Sequence, residues 1–214
     1  MNAHKLHQWS IRMEDEEEEE EEEKPQVDQN PTGMWAKKQE ELFFKNRNIY
    51  LWGPVEDKSA KDIVNRLLLL DADQPGKEIN FFINSPGGVV TSGMVIHDVM
   101  KMIQSPVSTI CMGLAASMGS ILLSAGTKGR RFIFPSGEVM IHQPSLGGYF
   151  RGVSADLEIH ATQIQKTKEL GARILSENCG QPYEKVLKDL ERDYWMDAQS
   201  AIEYGIVDGI IEKL

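Results

Sequence analysis

The stretch Val107-Ser108-Thr109-Ile110-Cys111-Met112-Gly113-Leu114-Ala115-Ala116-Ser117-Met118-Gly119-Ser120-Ile121-Leu122-Leu123-Ser124-Ala125-Gly126 decides the fold. Its first six residues are apolar and β-branched, as in a strand covered on both faces. Ile121 to Gly126 reads as a short helix closed by a glycine. Ser117 therefore falls where a strand turns into a helix. The first N–H groups of a helix lack internal partners and favour negative charge nearby. Small neighbours at Ala115, Ala116 and Gly119 let a substrate backbone approach closely. Two readings follow: a nucleophile beside an oxyanion site, or a serine that merely caps the helix. The spacing is not the Gly-x-Ser-x-Gly elbow of the α/β-hydrolases.

Working outward, a serine nucleophile needs a base, and the base needs an orienting carboxylate. His142 ends the apolar run Glu138-Val139-Met140-Ile141, where Pro144 stops the strand. Asp193 lies between a helical pattern and the aromatic segment Tyr194-Trp195-Met196. Taken singly, His142 reads as a strand-end histidine bound to backbone and Asp193 as an exposed charge.

Upstream, Ile49-Tyr50-Leu51-Trp52 reads as a strand and Lys58 to Leu70 as a helix. Glu78 to Asn84 reads as a strand that breaks at Ser85-Pro86-Gly87-Gly88 and enters a helix from about Val90 to Ile103. Strands alternating with helices predict an α/β domain with parallel strands. Gly87-Gly88 then opens a helix on the strand preceding that of Ser117, either as an ordinary turn or as a second source of oxyanion donors. Downstream, a long helix from about Ser154 to Ser176 carries a thin apolar stripe: Leu157, Ala161, Ile164, Gly171 and Leu175. Such a helix packs on another subunit or stays solvated.

Together these blocks closely resemble the proteolytic subunit of the Clp protease (ClpP) family, from about Leu42 to the C-terminus. The matching motifs are Gly-Leu-Ala-Ala-Ser117-Met-Gly-Ser, Met-Ile-His142-Gln-Pro and Glu-Arg-Asp193, with Ile83 to Gly88 before them and Ala201 to Asp208 after them. The resemblance implies the spiral of strand–helix units shared by ClpP and crotonase-like folds, with a protruding handle at about residues 143–178. It implies catalytic Ser117, His142 and Asp193, and an oxyanion hole made by the N–H groups of Gly88 and Met118. Gln143, Glu191 and Arg192 match ring–ring contact positions. Two heptameric rings, an AAA+ unfoldase that consumes ATP, and unfolded protein substrates would follow. A subunit active only in mixed rings with a paralogue is the alternative. A crotonase-type hydratase or isomerase needs no such triad. Where the family has its axial-loop segment, this chain has Met34 to Glu40 behind an acidic arm, and it carries an extra residue at Ser145-Leu146.

The formal charge of −10 is misleading, because residues 14 to 23 are ten consecutive carboxylates. Without them the chain is formally neutral, so a nucleic-acid surface has no positive support. Residues 1–33, rich in acid and closed by Pro25, Pro31 and Gly33, are expected to be a disordered arm or a partner-binding tail, with a peptidase domain over 34–214. Apolar residues make up 41% of the chain, yet no stretch approaches the roughly 18 needed to span a membrane. Cys111 and Cys179 read as buried or incidental thiols of a reducing compartment, which favours a cytoplasmic protein. No spacing of metal ligands and no phosphate-binding loop appears, so no metal or cofactor is expected on this chain.

Overall fold

A computed structural model describes residues 31–145 and 153–213. The acidic run and part of the expected handle, residues 146–152, lie outside the described residues. The chain divides into two units after Lys37, and the sheet lies wholly in the second.

The elements run in chain order as α1 (Pro31–Lys45), β1 (Asn48–Trp52), α2 (Asp57–Asp73), β2 (Ile79–Ser85), α3 (Val90–Met102), β3 (Val107–Ala116) and α4 (Met118–Ser124). Then come β4 (Arg131–Ile133), β5 (Glu138–Ile141), α5 (Ser154–Cys179), α6 (Tyr183–Asp189), β6 (Tyr194–Met196), α7 (Ala198–Tyr204) and β7 (Gly209–Ile210). The strands form one seven-stranded sheet in the order β1-β2-β3-β4-β7, and β5 leaves this path to pair with both β3 and β6.

Burial explains the pattern. Ile79, Phe81, Ile83 and Ser85 of β2 alternate inward, whereas Val107 to Cys111 of β3 are buried without alternation. A strand covered on both faces needs apolar or small residues at every position. Leu67 of α2, Ile96 of α3 and Leu122 of α4 are each 0% exposed and join this core. The β3 strand continues through Gly113 to Ala116, four residues beyond the apolar run that announces it.

Three features differ from the sequence reading. The β5–β6 pair is antiparallel while the other pairs are parallel. The reason is local: the turn after α6 is bound at the end of β5, where Gln143 N–H donates to Leu190 O at 2.6 Å, so β6 must run back along β5. Helix α1 begins at Pro31, inside the stretch 1–33 expected to be disordered and well before Leu42, where the family resemblance begins. A proline costs a helix little in its first turn, where an N–H would have no intrahelical acceptor. The short strands β4 and β7 were not foreseen; at three and two residues they hold no period to read.

Helix α5 matches its expectation. Of its 26 residues, Ala172, Ile174 and Leu175 are buried, and Leu157 and Ile159 are 47% and 66% exposed. Among the described residues, no helix is long and apolar enough to cross a membrane.

Candidate active site

Strand register brings the three predicted residues together. In the parallel β3–β5 pair Ala116 lies opposite Met140, and Ser117 N–H donates to Met140 O at 2.9 Å. In the antiparallel β5–β6 pair Ile141 lies opposite Tyr194. One residue beyond each pairing stand Ser117, His142 and Asp193. Strand β5 thus sets the histidine at its end between the strand that ends just before the serine and the strand that begins after the aspartate.

Ser117 has φ +53° and ψ −121°, one of only two non-glycine residues with positive φ among the described residues. A serine that only capped α4 would sit in extended backbone and accept from the helix, but Ser117 makes no side-chain cap bond. Such strained backbone persists only where its surroundings enforce it. Ser120 Oγ donates to Ser117 O at 2.6 Å, and the helix amides of Ser120 and Ile121 close on the same carbonyl. The turn is thereby held while the Ser117 hydroxyl makes no hydrogen bond among the described residues.

His142 Nδ1 lies 3.0 Å from Asp193 Oδ1. With the proton on Nδ1 donated to that carboxylate, Nε2 is left as an acceptor. Among the described residues no hydrogen bond joins Ser117 Oγ to His142. Contacts of this kind are often open in unliganded sites and tighten on substrate. Gln143 fastens the assembly from behind: its N–H donates to Leu190 O, and its Nε2 donates to Glu191 O at 3.0 Å. Arg192 also donates to Glu191 O, at 3.2 Å. The three residues expected at a ring–ring contact therefore all touch the turn that holds Asp193.

The Gly87-Gly88 turn abuts the serine. A Cβ on Gly87 would fall 2.6 Å from Ser117 Cβ and 3.0 Å from Met118 N; one on Gly88 would fall 2.2 Å from Val55 O. Gly88 has φ +149° and pairs with Val55 in a parallel bridge. Among the described residues, neither the Gly88 nor the Met118 N–H donates to a protein acceptor. The fully buried Ser85 supplies what sequence reading missed: its Oγ accepts from Gly87 N–H at 3.1 Å and fixes the turn. A serine two residues before a glycine at a strand end is the signal for this kind of turn.

Ser117 and His142 line one cleft together with Met94, Ile121, Ile141 and Leu175. The competing nucleophiles are disabled. Burial pushes the Cys111 thiol up to about 11 and the Cys179 thiol to about 12, and both are free. A thiol that stays protonated at neutral pH is a poor nucleophile. Among the described residues no cluster of His, Cys, Asp and Glu is placed to hold a metal ion.

The sequence model of the Clp protease family matches this chain over residues 32–214. That span takes in every strand of the sheet and every residue of the site, and the chain therefore belongs to the Clp protease family.

Proposed function

We propose that Ser117, His142 and Asp193 are the catalytic set of this ClpP-type peptidase, acting as a serine endopeptidase on unfolded polypeptide. The observation that carries the reading is the register that sets the three residues at adjoining strand ends, with Ser117 in positive φ and its hydroxyl uncommitted. Ser117 Oγ attacks the peptide carbonyl, and His142 Nε2 takes its proton and returns it to the leaving amine. Asp193 holds the imidazole tautomer and stabilises its charge. The Gly88 and Met118 N–H groups receive the oxyanion, each worth roughly 3–4 kcal/mol in comparable sites. Water then enters with His142 as base and releases the acyl product.

Around this chemistry we place two stacked heptameric rings, cytoplasmic, fed by an AAA+ unfoldase that uses the ATP; this chain binds no cofactor itself. A second reading, a subunit that works only in mixed rings with a paralogue, is favoured by one observation: no hydrogen bond joins Ser117 to His142 among the described residues. A partner that aligns the pair would complete it.

Fluorophosphonate labelling of the purified full-length protein, read by intact mass and native size on the same sample, tests both. Labelling at Ser117 in a ring-sized particle is expected. The Ser117→Ala protein should neither label nor cleave peptides but should assemble as before; peptide turnover persisting in that variant would overturn the assignment. Labelling that requires an added paralogue would favour the mixed ring.

A further inference from the structure

Strand β3 changes partner where its register against β2 slips. Through Cys111 it pairs with β4, and from Leu114 onward it pairs with β5; Met112 and Gly113 fall in neither register. On its other side, Ile83 of β2 lies opposite Cys111, but Ser85 lies opposite Ala115. Two steps along β2 therefore take four along β3. The two extra residues of this bulge shift all that follows by about 7 Å, at the usual rise of a strand. Carried on at the same step, the shifted register sets Ser117 beside Gly87, where a Cβ on Gly87 would fall 2.6 Å from Ser117 Cβ. In an unbroken ladder Ser117 would stand opposite Val89, beyond the glycine turn.

One side chain reaches into the bulge. Asn84 lies between the two register points, and its Oδ1 accepts from the Leu114 N–H at 3.1 Å. Its own carbonyl accepts from the Gly53 N–H at 2.9 Å, which ties the residue to the end of β1. Asparagine is a poor strand former, because its short amide competes for backbone groups. At the break in the ladder that competition supplies an acceptor. Gly113 makes the room: a Cβ there would lie 3.1 Å from Asn84 Oδ1, tighter than an ordinary contact.

We infer that Asn84 is a positioning residue for the peptidase reaction, its amide oxygen holding the β3 bulge in the register that brings Ser117 against the Gly87-Gly88 turn. The inference rests on the serine-peptidase reading above. Asn84 acts through the backbone of Leu114 to Ala116. It thereby governs how the Ser117 hydroxyl and the Gly88 and Met118 N–H groups meet around one carbonyl. The His142–Asp193 pair stands on β5 and the turn after α6, so it stays in place when the bulge loosens.

The test uses full-length Asn84→Ala, Gly113→Ala and the double variant, each sized by sedimentation and assayed on one fluorogenic peptide. Asn84→Ala should lower kcat at least about tenfold and leave KM near the wild-type value, since oxyanion contacts strengthen only in the transition state. The pH midpoint of kcat/KM should not move, because the base is untouched. Gly113→Ala should lower kcat by less, by pushing the amide off Leu114. In the Asn84→Ala background it should lower kcat no further, because its methyl then meets nothing within 4 Å. Additive losses would overturn the inference, as would wild-type kcat in Asn84→Ala, a loss confined to KM, or a moved pH midpoint. If Asn84→Ala fails to assemble, Gly113→Ala decides alone: a fall in kcat in an intact particle is expected, and wild-type kcat would overturn the inference. Wild type that neither labels with a fluorophosphonate nor cleaves would instead bring down the peptidase reading, and the inference with it.

Discussion

Ser117 and Gly87 form a lock at the scale of single residues. The positive φ of Ser117 is tolerable only because the strand bond to Met140 and the two helix amides pin its peptide groups, and because Gly87 leaves the space beside its Cβ empty. A methyl on Gly87 would press on Ser117 Cβ and on Ala116 O at 2.7 Å, in a backbone conformation (φ +90°) that side chains rarely adopt. Gly87→Ala should therefore displace the hydroxyl while leaving the core untouched. We expect kcat to fall about a hundredfold, the effect of a displacement of about 1 Å at a reacting centre. Steady-state kinetics with sedimentation on the same preparation checks this; full activity would show that the turn yields without moving the serine. The candidate site was legible through its motifs taken together, which resemble those of the Clp protease family; singly, His142 and Asp193 carried no such signal. Ser85 was not legible, since its role is a bond to a neighbouring amide rather than chemistry.

Between elements, the thin edge of the sheet is held by charge. Strands β4 and β7 are too short to hold each other through backbone alone, and Arg131 bridges them. Its guanidinium meets Asp208 through Nε at 2.9 Å and Nη2 at 2.6 Å, and Nη1 donates to Asn178 O at 2.8 Å. Burial works to raise the Asp208 carboxyl, but the Arg131 hydrogen bonds and the Gly129 N–H outweigh it and hold the group below its ordinary value. A carboxyl lowered on folding contributes stability above the unfolded value near pH 4, and loses it as the pH falls through the folded value. Asp208→Ala leaves Arg131, 3% exposed, without its counter-charge and should cost about 3–5 kcal/mol. Asp208→Asn should flatten the fall of Tm below about pH 4 relative to wild type. Thermal melts from pH 6 to pH 3 read both, and parallel wild-type and Asn curves would rule the pair out as an acid-sensitive tie. These edge strands also mark where pattern reading stopped. The run Ile79–Ser85 shows a period of two and β3 an unbroken apolar stretch, but two or three residues carry neither. The direction of β6 was equally hidden, since it follows from the Gln143–Leu190 bond rather than from composition.

For the whole molecule, α5 poses the largest open account of buried surface. At 26 residues it is about 39 Å long, yet just three of its residues are buried. Helices in water draw most of their stability from packing an apolar face, and the N-terminal half of α5 has Leu157 and Ile159 facing outward. The net charge does not oppose association, since the chain apart from its ten-residue acidic run is formally neutral. Under the proposed double ring, these side chains meet their counterparts on the opposite ring. A charge at Ile159 would then be buried without a partner at every ring–ring contact, whereas on a solvated helix it would be harmless. Ile159→Glu should therefore halve the particle, from fourteen subunits to seven, in sedimentation velocity, with the melting of the single subunit's core little changed. Helix α5 also supplies the wall of the cleft beside Ser117, so the separated rings should lose peptidase activity along with the contact. A variant that still sediments at the wild-type size would place the exposed half of α5 in solvent and leave the second ring without its proposed seat.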